Sequence, residues 1–423
     1  MKAEFIKDEI KDQYLIDSRP WIIGFSGGKD STAVLQLVWY AIKEIPVEQR
    51  HKEIHVVCND TLVENPRIVE WIDQNLDNIV KSAEKDKLPI IVAKTNPELE
   101  DSFWVNLIGK GYPAPNNTFR WCTERLKINP TSRYIKAKVA EKGEVVILLG
   151  TRTDESETRK KSMNKFQVGS NRLKRHVNLN LAFVYSPISH LTTNELWEYL
   201  MQVPNPWNGS NRSLITLYRN GSGGDCPLVI DTTTPSCGQS RFGCWVCTVV
   251  KKDKSMEAFI ENGEEKFEPL LDLRDWLVDN RDKDEYRMQT RRNGSDGKGP
   301  YNIYARKLIL NMLFEAQKIS EEKLISTQEM KAIQILWQMD GYYENVFELY
   351  YNVFNEQKSF EMSKRDEIKK QQVNALTIVC EDNGIDPEKM LNLLRNEKDK
   401  RLLKKRLNIQ SMIDDLIKKE IEA

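Results

Sequence analysis

The chain has no excess of either charge: Lys plus Arg and Asp plus Glu number 63 each, and the net charge is zero. A global field that would gather polyanions is therefore excluded, and any nucleic-acid surface must come from local clustering. Long hydrophobic runs are also missing. The chain opens Met-Lys-Ala-Glu-Phe-Ile-Lys-Asp without an apolar leader-like stretch, and no later run approaches membrane-spanning length. The expectation is a cytoplasmic protein with no membrane partner. In that compartment seven cysteines are expected as ligands, reactive thiols or core residues rather than disulfides. There is no internal repeat. No glycine stands five residues before Gly28-Lys29, which excludes the P-loop spacing of Walker-type nucleotide sites.

What is present begins at Trp21-Ile-Ile-Gly-Phe-Ser-Gly-Gly-Lys-Asp-Ser31, followed directly by a helical pattern to Ile42. A buried strand, a glycine turn and a helix N-terminus in that order cradle phosphates. Gly27 and Gly28 let the backbone approach an anion, Lys29 brings a full charge, and Ser26 and Ser31 bring hydroxyls. Further apolar runs at Glu53–Asp60, Pro89–Ala93 and Val145–Gly150 read as strands, with a helix begun by Asn65-Pro66 between the second and third. Strands alternating with helices predict an α/β fold, a parallel sheet covered by helices on both faces. Ligands of such sheets bind beyond the carboxyl ends of the strands, so Ser26, Asp60 and Arg152 are expected to converge. The sheet domain is expected over residues 1–202, closed by a helix that Thr192 or Thr193 caps with Glu195 behind it. An irregular Cys-rich segment follows over 203–255, and a charged helical C-terminal region over 256–423.

Cys226, Cys237, Cys244 and Cys247 follow one another at spacings of eleven, seven and three. Four thiols so close point to one metal centre, and zinc or a 4Fe–4S cluster would accept them equally. Cys122 is a fifth candidate, in a basic loop with Arg120, Arg125 and Lys127, where a thiol would be acidified. Five cysteines for four positions leave one spare, a candidate sulfur-carrying thiol. Cys380, on an apolar helical stretch, is expected in a core. From Arg159 to His176 there are seven Lys and Arg residues and no acid, a stripe suited to a phosphate backbone. Asp154, Glu155 and Ser156 suit either a helix cap or direct catalysis. Arg291-Arg292 and Lys404-Lys405-Arg406 are weaker basic clusters.

The loop Ser26–Ser31, the segment Arg120-Trp-Cys-Thr-Glu-Arg-Leu-Lys127, and Gly150-x-Arg152-x-Asp154-Glu-Ser-x-x-Arg159 together resemble the PAPS reductase branch of the PP-loop ATP pyrophosphatases. The stretch from Asp225 to Thr248 is similar to the DndC family of DNA phosphorothioation sulfurtransferases. The resemblance spans roughly Trp21 to Lys254. It implies an adenine nucleotide alpha hydrolase-like sheet and an ATP-dependent enzyme that replaces a non-bridging oxygen of the DNA backbone with sulfur. It implies ATP, Mg2+ and a 4Fe–4S cluster as cofactors, zinc being the alternative. It implies DNA, a cysteine desulfurase and other phosphorothioation subunits as partners. On that resemblance the cluster ligands are Cys122, Cys237, Cys244 and Cys247, with Cys226 replacing Cys122 in the alternative assignment. ATP is expected on Ser26, Gly27, Gly28, Lys29, Asp30, Ser31, Asp60, Thr61 and Gly150. Catalysis is expected from Lys29, Asp30, Arg152, Arg159 and Cys226, with Asp30 or Asp60 near Mg2+. The same motifs also suit a PAPS or adenylyl-sulfate reductase, a tRNA thiolase, or a non-catalytic iron–sulfur subunit that binds DNA.

Overall fold

The computed structural model describes residues 2–153, 172–220, 243–292, 295–356, 364–387, 389–391 and 393–394. Residues Met1–Ser326 form one compact unit and Thr327–Ala423 a second.

The first unit is built on a six-stranded sheet: β1 (Trp21–Gly24), β2 (Ile54–Asn59), β3 (Ile90–Thr95), β4 (Val145–Leu148), β5 (Lys174–Arg175) and β6 (Ala182–Tyr185). Their order across the sheet is β3-β2-β1-β4-β6-β5. All neighbours are parallel except the β5–β6 edge pair. The interleaved helices are α1 (Lys2–Leu15), α2 (Lys29–Glu44), α3 (Pro66–Lys85), α4 (Asn129–Lys142), α5 (Thr193–Gln202), α6 (Asn211–Asn220), α7 (Lys254–Glu261), α8 (Glu268–Asn280) and α9 (Ile303–Ser320).

Both faces of the central strands are covered, which is why β1, β2 and β4 are buried at every position. Trp21, Ile23, Val56, Val146 and Leu148 pack into one core with α1, α2, α3 and α5. Ile22, Val57, Val145 and Ile147 face the other way, against Ile135 and the rest of α4. This alternation is the two-residue period of a strand applied to a sheet with no wet side.

Several local expectations hold. Asn65 accepts from Arg67 N–H to cap α3, with Pro66 at the first helical position. Ile68, Ile72 and Leu76 are buried along one face. Thr192 forms the capping box with Glu195 that opens α5. One expectation is corrected. Cys122 does not sit in a loop: Trp121 and Cys122 are helical, and a π-helical turn over Thr123–Ile128 runs straight into α4. Arg125 in that turn is ion-paired with Asp101.

The second unit carries α10 (Thr327–Met339), α11 (Val346–Phe354) and α12 (Lys364–Asp382). Cys380 is buried there, 2% exposed, as its apolar setting predicts. Among the described residues no helix is long and apolar enough to cross a membrane.

Candidate functional site

The chain leaves β1 in one direction to make β2 and β3 and returns on the other side as β4. The crevice between the carboxyl ends of β1 and β4 is therefore the sheet's switch point, where parallel α/β sheets hold their ligands. Two loops border it, Phe25–Gly28 after β1 and Leu149–Thr153 after β4.

The first loop is shaped by its serines. Ser31 Oγ donates to the Gly28 carbonyl at 3.0 Å and accepts from Ser26 N–H at 3.2 Å. Ser26 Oγ lies 3.1 Å from Ser31 Oγ and accepts from Gly28 N–H at 3.2 Å. The two hydroxyls thus brace the turn from inside. Gly27 has φ +69°, and a Cβ built there would lie 2.4 Å from Trp71 Cζ3. Gly28 is the N-cap of α2 and offers its first turn no side-chain hydrogen bond. That leaves the positive end of the helix dipole for an anion.

Asp30 joins this loop to the second one. Lys29 Nζ donates to one carboxylate oxygen at 2.8 Å, and Arg152 Nε donates to the other at 2.7 Å. Arg152 is 1% exposed and also donates to the Leu191 carbonyl at 3.2 Å and to Thr193 Oγ1 at 3.1 Å. Its guanidinium holds the β4 loop, the start of α5 and the start of α2 together. Gly150 permits this approach, since a Cβ there would meet the Asp30 backbone at 2.9 Å. Ser26 and Arg152 therefore converge as expected. Asp60 is turned into its own loop: its carboxylate accepts from Leu62 N–H at 2.8 Å and faces Lys94 Nζ at 3.5 Å.

A second constellation begins one strand away. Thr61 follows β2 and is fully buried; its hydroxyl donates to Glu64 Oε1 at 3.1 Å and lies 3.2 Å from Cys244 Sγ. Backbone bonds from Asn65 N–H to the Gly243 carbonyl (3.3 Å) and from Trp245 N–H to the Val63 carbonyl (3.0 Å) fix the Cys244 segment against the start of α3. Burial pushes the Cys244 thiol up to about 12; Lys127 opposes this, while Glu64 and Cys122 add to it. Burial likewise raises the Glu64 carboxyl, against the pull of Lys127. Cys122, Cys244, Glu64 and Lys127 thus share one electrostatic neighbourhood. Trp71, which packs on Gly27, lies six positions along α3 from its N-cap Asn65, about 9 Å of helix rise. Cys244 and the glycine loop are thus attached to the same short length of helix.

Cys247 N–H donates to the Cys244 carbonyl at 3.1 Å. The turn is held from below by Arg274, fully buried, which donates to the carbonyls of Cys247 (3.0 Å), Lys251 (2.9 Å) and Val250. Trp245 packs its ring 5.8 Å from that of Trp104. Cys226, Cys237, Arg159 and Asp154-Glu155-Ser156 lie outside the described residues, as does most of the basic stripe before Arg172. Among the described residues no three His, Cys, Asp or Glu side chains form a group that could hold a metal ion. Of the four thiols expected as cluster ligands, Cys244 and Cys247 share one turn and Cys122 lies at the head of the π-helical turn. The sequence reading did not single out Glu64, for which a carboxylate five residues past the end of a buried strand was the available signal; it named Thr193 only as a possible helix cap, not as a partner of Arg152.

The Phosphoadenosine phosphosulfate reductase domain family matches residues 20–250, more than half of the chain. An uncharacterized protein of Methanocaldococcus jannaschii is 27% identical over 242 residues, 57% of this chain and 39% of that protein. The chain thus covers about two-fifths of that relative's length. Among solved structures, a phosphoadenylyl-sulfate (PAPS) reductase from Candida auris, in a phosphate complex, is similar at 13% identity and a TM-score of 0.31, covering 47% of this chain and 81% of that one. The U34-tRNA thiolase NcsA from Methanococcus maripaludis, with its 4Fe–4S cluster, is similar at 12% identity and a TM-score of 0.29, covering 70% and 84%. At these scores neither likeness carries a feature of the site to this chain. The family match over residues 20–250, on a parallel sheet whose switch point holds a glycine turn at a helix N-terminus, makes this chain a member of the phosphoadenosine phosphosulfate reductase domain family.

Proposed function

We propose that the chain is an ATP-dependent sulfurtransferase that activates a phosphodiester of DNA and exchanges one non-bridging oxygen for sulfur. The observation that carries this reading is a phosphate-type glycine turn packed on Trp71 of the same helix, α3, whose start holds Cys244 of a closely spaced cysteine pair.

A DNA phosphodiester is a poor electrophile, because its negative oxygens repel an anionic sulfur. In the proposed sequence a backbone oxygen attacks the α-phosphorus of ATP and pyrophosphate leaves. The N-terminus of α2 and Lys29 stabilise the charge on that leaving group; Mg2+, held with the help of Asp30 or Asp60, would supply further charge neutralisation there. The oxygen now carries AMP. Hydrosulfide, released from the donor's persulfide by a thiol reductant that becomes a disulfide, then attacks the DNA phosphorus; AMP departs with the original oxygen, the sulfur's proton passes to solvent, and the phosphorothioate remains. Asp30 sets the direction of Lys29 and, through Arg152, the distance between the two loops. A 4Fe–4S cluster, where Cys122, Cys237, Cys244 and Cys247 hold it, would supply a redox or sulfur-binding centre. The donor would be a cysteine desulfurase, and other phosphorothioation subunits would present the DNA.

The family match favours one other reading, a reductase of PAPS or adenylyl-sulfate, in which the loop holds a nucleotide without splitting it. Pyrophosphate separates the two. The expected result is ATP-dependent pyrophosphate release in the presence of DNA and a sulfur donor, reduced at least about a hundredfold in Lys29→Ala. Phosphorothioate dinucleotides should then appear by mass spectrometry in DNA digests. No pyrophosphate under any of these conditions, with sulfite formed from PAPS instead, identifies the reductase.

A further inference from the structure

Beside the switch point, beyond the carboxyl end of β6, lies a cavity of about 250 Å³. Its walls include Glu9 from α1, Arg172 and Lys174 from the β5 edge, and Tyr185, Ser186 and Ser189 from the end of β6 and its loop. We propose that this cavity binds a tetrahedral oxyanion, held by the cations of Lys174 and Arg172 and the hydroxyls of Ser186 and Ser189. The anion is either a backbone phosphodiester of the nucleic-acid acceptor or a free phosphate or sulfur oxyanion. The proposal rests on the functional reading above for what such an anion does there, but not for whether it binds.

Three features support it. First, the charge balance is positive. Glu9 is the carboxylate in the wall, and it is already engaged: Tyr185 OH donates to its Oε1 at 2.9 Å and Arg172 Nε reaches the same oxygen at 3.1 Å. Among the described residues no carboxylate pairs with Lys174, whose ammonium burial draws below the ordinary value; an anion would restore it. Second, the cavity is too large to be a structural water site, being several times the ~30 Å³ that one water occupies. Third, the cavity abuts the nucleotide loop. Thr151 Oγ1 and Ser186 Oγ are 2.8 Å apart, and Thr153 N–H donates to the Ser189 carbonyl at 2.9 Å. Between them in sequence stands Arg152, bonded to Asp30 at the start of α2. An anion in the cavity would therefore be separated from the start of α2 by the Thr151–Thr153 segment.

The test uses the full chain and three probes: inorganic phosphate, a short single-stranded DNA, and the same DNA with uncharged methylphosphonate linkages. Lys174→Gln is expected to weaken binding of phosphate or of the charged DNA about tenfold, the loss of one charge-assisted contact. Arg172→Gln should act in the same direction, with circular dichroism unchanged for both. Charged DNA weakened and methylphosphonate DNA unaffected assigns the site to the backbone. Phosphate alone weakened assigns it to a free oxyanion. If neither probe responds to either variant, the proposal is overturned. The Lys29→Ala pyrophosphate assay decides the functional reading separately, so the two can fail independently.

Discussion

At the scale of single residues, the glycine loop works because two positions have no Cβ. Gly27 holds φ +69° against the face of Trp71, with room for no further atom. An alanine there would meet the cost of a left-handed residue, ~1–2 kcal/mol, and a 2.4 Å collision with an indole that is itself packed against the core. We expect Gly27→Ala to lower stability by about 2–4 kcal/mol and to abolish ATP binding, measured by denaturant titration and by nucleotide titration calorimetry. Serine, lysine and glycine types around the turn are readable in sequence, because the chemistry of an anion site restricts them. The Asp30–Arg152 contact was not readable. It links residues 122 positions apart, and its sole sequence trace was that both lie just past strand ends.

At the scale of elements, the strands buried at every position were legible and the β5–β6 pair was not. β1, β2 and β4 are buried at every position, so their composition alone marks them. β6 has four residues, two of them only half-buried, and β5 has two. Such a pair exists because β6 finds β4 as a parallel neighbour, which no local pattern announces. α1 also escaped notice: its buried face is Ile6, Ile10 and Tyr14, with Glu9, amid charge.

The β5–β6 hairpin carries a pH-sensitive group. His176 Nδ1 accepts from the N–H groups of Asn178 (3.1 Å) and Leu179 (3.0 Å), and burial lowers its pKa to about 4. The folded chain therefore resists a proton that the unfolded chain takes up near pH 6.5. Its contribution is complete above pH 6.5 and is lost as pH falls toward 4. Wild type should lose about 1–2 kcal/mol more than His176→Asn between pH 7 and pH 5, read as the difference in thermal midpoint.

The Cys244–Cys247 turn depends on a buried cation rather than on its own helix or strand. Arg274→Met would leave the carbonyls of Cys247, Val250 and Lys251 without their donor. The expected cost is about 3–5 kcal/mol. Alkylation of Cys244 by a thiol reagent, slow in wild type, should accelerate in step; an unchanged rate would mean that Arg274 does not hold the turn.

At the scale of the whole molecule, the first unit continues through Ser326 and takes in α7, α8 and α9. Trp104 shows how: its Nε1–H donates to the Leu324 carbonyl at 2.8 Å, 220 residues away. Residues 1–326 expressed alone are expected to unfold cooperatively and to bind ATP like the full chain. A product ending at Gln202 should not fold, because Trp245, bonded to Val63 before α3, and the Leu324 carbonyl that accepts from Trp104 would both be gone. Circular dichroism melts of both products distinguish these outcomes.

The sequence by itself determined the α/β class, the four long strands, the capped starts of α3 and α5, and the glycine turn. Each of these is a local consequence of burial period, cap chemistry or backbone freedom. Tertiary structure alone decided the strand order, and with it the switch point that sets Arg152 against Asp30. It alone brought Cys244 against Thr61 and placed Lys174 in a cavity wall. Those juxtapositions depend on which elements bury which faces together, and that free energy belongs to pairs of segments far apart in the chain rather than to any one of them.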